Sequence, residues 1–287
     1  NPYEAFLKAV INRQAALIAQ WMQLGFIHGV MNTDNMSIVG ETIDYGPCAF
    51  MDEFDHQRVY SSIDRQGRYA YSNQPSIGQW NLVRLAETLL PLFIEGEHTN
   101  EKAEAAVAMA QDALKAFSTL YEAYWLEGMQ RKLGLLMPQD DDRDLIENLL
   151  NTMADNQADF TLTFYYLSKL EADQVDVGNK EEQSLRALFT KPQALDSWVV
   201  KWRARLEKES AGDQERQTAM QAVNPVYIPR NHQVEAAIRV AEDHNDFSVF
   251  YELHDVLQNP YEYQQGREAY MLPPEPEEVV QQTFCGT

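Results

Sequence analysis

The side chains best suited to chemistry gather in one short stretch, His28-Gly29-Val30-Met31-Asn32-Thr33-Asp34-Asn35, followed nine residues after Asn35 by Asp44-Tyr45-Gly46-Pro47. An Asn amide oxygen and an Asp carboxylate are hard donors. They suit Mg²⁺ or Mn²⁺, with phosphate oxygens and water completing the shell, so Asn35 and Asp44 are the candidate metal ligands. Asp34 adds a carboxylate beside Asn35, where it can accept a proton from a hydroxyl group. The same residue type also caps and turns Asn/Asp-rich loops, so a local structural role stands beside the catalytic one.

This layout is that of a phosphoryl-transfer site of the protein-kinase type, in which an Asn near the end of the catalytic loop and an Asp before a Gly-containing turn hold the metal. In the pattern H-x-D-x-x-x-x-N the Asn follows the His by seven residues, as Asn35 follows His28. The position of the usual base, two after the His, is Val30, which cannot take a proton. A transferase built this way needs a relocated base, for which Asp34 is placed. His28 is expected to hydrogen-bond backbone rather than metal. The other histidines share no ligand spacing, and Asp140-Asp141-Asp142-Arg143-Asp144 lacks the Gly and distal Glu of a calcium loop, so it reads as the acidic start of a helix.

Apolar residues at helical spacing from Tyr3 to Leu24, closed by Gly25, predict a long helix that delivers the chain to His28. Ser37-Ile38-Val39 and Thr42-Ile43-Asp44-Tyr45 read as a small β-hairpin around Gly40-Glu41, and residues 46–76 as a long functional loop carrying Arg65 and Arg68, which face solvent or meet phosphate or a protein substrate. Beyond Gly78 helices are expected at 78–94, 100–132, 141–153, 156–172, 181–189, 193–209, 213–222, 231–244 and 246–258, with Pro91, Pro138, Pro192, Pro225, Pro229 and Pro260 at the breaks. The predicted fold is mainly α. Its parts are a catalytic-loop core over 1–95, a helical lobe over 96–258 and an extended acidic tail over 259–287.

With 287 residues, 45% of them hydrophobic, the chain is long enough to bury a sizeable core. Its formal charge of −21 repels phosphate backbones and anionic lipid, so neither nucleic acid nor membrane is an expected partner. A triphosphate still binds such a chain when a divalent cation bridges it to carboxylates. The absence of an apolar leader or span, and the presence of only Cys48 and Cys285, suggest a reducing, cytoplasmic setting rather than a disulfide scaffold.

Four strings in order, HGVMNTDNMSIVGETIDYGP from His28, GRYAYSNQP from Gly67, NPVYIPRN from Asn224 and the terminal Cys285-Gly286-Thr287, resemble the selenoprotein-O family across essentially the whole chain. The resemblance implies a kinase-like C-terminal lobe that binds ATP inverted and moves AMP, rather than phosphate, to Ser, Thr or Tyr hydroxyls of proteins. Position by position, it makes Asp34 the proton acceptor, Asn35 a metal ligand, and Asp44 a second metal ligand and ATP contact. The Gly-rich loop and the strand Lys with its Glu partner do not occur before His28, so the chain is expected to be a fragment, inactive alone. Cys285 matches the position of a selenocysteine or redox cysteine in that family. It is expected to pair with another protein's thiol or with glutathione. Cys48, close to Asp44, is either a small buried residue or a partner for Cys285. Two rivals remain, an ordinary phosphotransferase with Asp34 as base and a non-catalytic pseudokinase scaffold.

Overall fold

The structure is a computed structural model and describes residues 1–172 and 179–284. Its contacts divide the chain into two compact units, one of Asn1–Cys48, Val59–Glu127 and Thr283–Thr287, the other of Ala49–Arg58 and Gly128–Gln282. These limits follow packing, whereas a sequence division at 95 and 258 follows changes of composition. Both units are mainly helical.

In the first unit, helix α1 (Pro2–Leu24) opens on Asn1, whose side chain accepts from the Tyr3 amide, and closes on Gly25 at φ 68°. Such a left-handed cap is cheap only for glycine. Of the expected apolar stripe, Leu7, Val10, Ala15, Ile18, Trp21 and Met22 are buried, joined by Ile11 and Ala19, whereas Phe6 is exposed and Leu17 and Leu24 are half-buried. The buried face packs on α2 (Gln74–Phe93), where Gly78 leaves no room for a Cβ against Ile18 and so permits the close helix approach. Pro91 lies inside α2 rather than at its end, a correction to the expected break. Helix α3 (Asn100–Lys132) carries the chain from the first unit into the second.

Strand content is small: β1 (Phe26–Ile27) and β2 (Ala49–Phe50) are two residues each. The hairpin expected at 37–39 and 42–45 shrinks to a single antiparallel bridge, Met36 to Thr42. Local bonds take the groups a ladder would use. Gly40 N–H donates to the Ser37 carbonyl at 3.0 Å, and Gln14 of α1 donates to that same oxygen. Apart from β2 and isolated bridges at Glu53 and Ser61, the loop after Asp44 is irregular up to the 3-10 turn Tyr71–Asn73.

The second unit contains α4 (Asp142–Asn156), α5 (Phe160–Leu167), α6 (Lys180–Ala187), α7 (Pro192–Leu206), α8 (Asp213–Gln221), α9 (Asn231–His244) and α10 (Ser248–Leu257). Helix α7 is keyed by two buried tryptophans. Trp198 donates to the Leu145 carbonyl and Trp202 to the Leu133 carbonyl, both at 2.9 Å, so each indole buries its ring without stranding its N–H. The stretch after 258 is more firmly placed than an extended tail. Met271 is buried in a cluster with Tyr165, Val226 and Tyr227, and its carbonyl accepts from Arg230 at 2.9 Å.

Candidate functional site

His28 ends the run from α1 and is fully buried, its ring against Trp21 and Phe26. Its Nε2 lies 2.8 Å from the Ile43 carbonyl, and its Nδ1 accepts a long 3.4 Å bond from the Val30 amide. Burial holds its pKa below the ordinary histidine range, although the Ile43 bond and the nearby Asp44 charge pull the other way. A neutral imidazole donating through Nε2 satisfies this geometry. The ring therefore fixes the residue before Asp44, the backbone role expected of it.

Other anchors converge on the same loop. Gln74 of α2, also fully buried, accepts from the His28 amide at 3.0 Å and donates to the Phe26 carbonyl at 2.9 Å. Asn81, two turns along α2, donates to the Met31 carbonyl at 2.9 Å, and Trp21 donates to the Thr42 hydroxyl at 2.8 Å. Gly29 sits at φ 84°, and a Cβ there would come within 2.8 Å of the Pro47 carbonyl oxygen. Glycine is required by that close approach, which holds the Asp44-Tyr45-Gly46-Pro47 turn against the loop. Gln74 belongs to the quoted GRYAYSNQP string and Trp21 to the apolar stripe of α1, but the sequence assigns neither of them, nor Asn81, a role at the site. A Gln or Asn on a helix carries no periodic signal of where its amide points.

Asn35 closes the 3-10 turn Thr33–Asn35. Its Nδ2 donates to the Val30 carbonyl at 3.0 Å, leaving the amide oxygen as the atom available to a cation. Asp34 is exposed beside it, and Asp44 is exposed at φ 58° with only a marginal 3.5 Å contact from the Gly46 amide. A non-glycine residue in the left-handed region carries strain of order 1 kcal/mol, tolerated here in a loop that the surrounding anchors determine. The Met36–Thr42 bridge brings together the backbone next to Asn35 and that two residues before Asp44.

The arrangement offers exposed carboxylates from Asp34 and Asp44 and the amide oxygen of the half-buried Asn35. These are the right donors for Mg²⁺ or Mn²⁺, but only a partial shell: among the described residues no group of three or more His, Cys, Asp or Glu side chains could hold a metal. The donor set fits a cation that shares its remaining positions with phosphate and water. Val30, at the usual base position, is buried in the core.

Cys48 is half-buried, and burial, followed by the Asp44 charge, pushes its thiol up to about 11. It remains a protonated thiol at neutral pH. Cys285 lies outside the described residues. Nearby Thr283 forms a parallel bridge with Ser61, donates its amide to the Tyr60 carbonyl at 2.8 Å and gives its hydroxyl to the Pro47 carbonyl. Among the described residues no helix is long and apolar enough to cross a membrane.

The mainly helical fold and this loop have the layout of a kinase-like C-terminal lobe. The family described as protein adenylyltransferase SelO matches residues 1–258, and the chain belongs to that family. It is 55% identical over 287 residues to the protein nucleotidyltransferase YdiU of Rhizobium meliloti (strain 1021), covering 100% of this chain and 56% of that protein. Against the protein of the same name from Rhizobium johnstonii the identity is 52%, covering 100% of this chain and 55% of the relative. Against that of Rhodopseudomonas palustris (strain BisB5) it is 53% over 286 residues, covering 100% and 56%. The chain thus spans little more than half the length of these relatives.

Proposed function

We propose that this chain carries the metal- and nucleotide-binding loop of a protein adenylyltransferase, which moves AMP from ATP to Ser, Thr or Tyr hydroxyls of protein substrates in the cytoplasm. The observation that carries this reading is the pairing of a buried valine at the usual base position with an exposed carboxylate four residues later, beside Asn35. Asn35 and Asp44 would hold Mg²⁺ or Mn²⁺, which supplies charge neutralisation for the ATP phosphates. Asp44 would also contact the nucleotide as a ligand of that cation. Asp34 accepts the proton as the acceptor oxygen attacks the α-phosphorus. The bond from the α-phosphorus to the bridging oxygen breaks, and pyrophosphate leaves. Of the two thiols, Cys285 is the redox candidate, because the elevated pKa of Cys48 keeps that group unreactive.

The test is the mass of an acceptor protein after incubation with ATP and Mg²⁺ or Mn²⁺, with the enzyme expressed from its full reading frame. Addition of AMP, lowered by roughly 10²–10⁴-fold in Asp34→Ala, is the expected result. Addition of a phosphoryl group instead would make the protein an ordinary phosphotransferase. No product, with cellular function unchanged in Asp44→Ala, would leave a non-catalytic scaffold.

A further inference from the structure

Two guanidinium groups in the first unit share one exposed indole. Arg68 lies 4.9 Å and Arg84 5.2 Å from the Trp80 ring centre, and Arg68 also lies 5.7 Å from the ring of Tyr69. Trp80 is 43% exposed. Arg84 has a carboxylate partner, Glu87, at 2.9 Å. Arg68 has none among the described residues, in a chain of net charge −21 where acidic partners are plentiful. The nearest acid by sequence, Asp64, is otherwise engaged. Its two carboxylate oxygens accept the backbone amides of Arg68 and Tyr69 at 2.8 and 2.7 Å, which fixes the turn. Two like charges on one ring are mutually unfavourable unless an anion joins them.

The patch is tied to the catalytic loop. The Tyr69 hydroxyl donates to the Asn32 side chain at 2.7 Å, and Asn32 stands two residues before Asp34. Arg68 is thus fixed one residue from a side chain that touches the loop. We propose that Arg68, stacked on Trp80 and reinforced by Arg84, docks acidic residues flanking the acceptor hydroxyl of a protein substrate. This names the class of substrate, acidic polypeptide segments, and rests on the transferase reading of the neighbouring loop. An exposed Arg held over an aromatic face loses less entropy on pairing with a carboxylate than a free one, which makes it a selective anchor.

The experiment follows the anisotropy of two fluorescein-labelled peptides, identical except that the residues flanking a single Ser are Glu in one and Lys in the other, bound to the chain and to its Arg68→Gln and Arg68→Glu variants. The unaltered chain should prefer the Glu peptide by about tenfold, with the preference shrinking as salt rises, lost in Arg68→Gln and reversed in Arg68→Glu. An equal preference in all three proteins, or none in the unaltered chain, overturns the proposal. Titration with a fluorescent ATP analogue and Mg²⁺ separates the other source of negative charge: unchanged affinity in Arg68→Glu supports peptide docking, and a loss matching that of the peptide assigns Arg68 to the nucleotide phosphates and overturns it. Both peptides are also incubated with ATP and the full-length enzyme. Charge-selective binding without any gain of AMP mass leaves the acidic-polypeptide site standing and removes the transferase reading instead.

Discussion

Two charged regions carry the strings that mark this family, and they treat their charges in opposite ways. The loop of Asp34, Asn35 and Asp44 exposes its two carboxylates and keeps Asn35 half-buried, each with few or no side-chain partners of its own. In the second unit, Arg230 of the NPVYIPRN string is fully buried and its guanidinium is spent internally. It pairs with Asp52, bonds Asp159 at 2.8 and 3.3 Å and gives its Nε to the Met271 carbonyl. Asp159 in turn accepts the Leu162 amide at 2.7 Å as the cap of α5. Burial still raises the Asp52 pKa, against the pull of Arg230. A family string is therefore not by itself evidence of a site: the guanidinium of this one is engaged in holding the second unit together.

The sharpest test of that contrast removes the buried cation. Arg230→Met should cost about 3–5 kcal/mol, because Asp52 and Asp159 are left buried side by side without a counter-charge. Urea unfolding reads it. A loss under about 1 kcal/mol would show that the network is less enclosed than it looks.

Lys132 sharpens the comparison from the other side, as a buried charge with no carboxylate partner among the described residues. Its ammonium lies 4.2 Å from the Phe164 ring centre and 5.7 Å from that of Phe160, and burial lowers its pKa from 10.5 to about 7. Below pH 7 both folded and unfolded chains hold the proton, and the full cost of burying the charge is present. Between 7 and 10.5 the unfolded chain binds more protons, so stability rises with pH, and above 10.5 the cost is gone. Lys132→Met should stabilise the protein by on the order of 2–4 kcal/mol near pH 6, after crediting the ring faces and the helix C-terminus, and by much less at pH 10. Thermal unfolding of both proteins across that range checks the sign. Equal stabilisation at both ends would mean that the proton is not involved.

The smallest effect on stability belongs to the loop with the exposed carboxylates. Asp34→Ala should shift unfolding by no more than about 0.5 kcal/mol, since its side chain is exposed, and Asp44→Ala by roughly 0.5–1 kcal/mol, since alanine tolerates the left-handed backbone less well than aspartate. Their nucleotide affinities should differ, however, with Asp44→Ala losing more metal-dependent ATP binding than Asp34→Ala, because the proposed function makes Asp44 a ligand of the cation and Asp34 the proton acceptor. Calorimetric titration with Mn²⁺ and ATP decides it, and equal losses would make Asp34 a ligand too.

The helices were legible because burial on one face imposes a period on the sequence. The stripe of α1 with its Gly25 cap, and the span of α3, appear where that period places them. The metal-type loop was legible because its chemistry needs particular atoms at particular separations along the chain. Sequence by itself therefore determined the mainly helical class and the family, and it named the residues proposed to act. Only the tertiary structure decided how that loop is held. His28, Gln74, Asn81 and the close approach of Gly29 to Pro47 join segments up to about fifty residues apart, through single hydrogen bonds and a contact that leave no periodic trace. It also decided that the expected hairpin is a single bridge, that Pro91 sits within a helix, and that Thr283 of the acidic tail pairs with Ser61. The physical reason is common to all of them. Periodicity records which face of an element is buried, whereas the partner of an individual polar group depends on which distant segment the fold brings within about 3 Å of it.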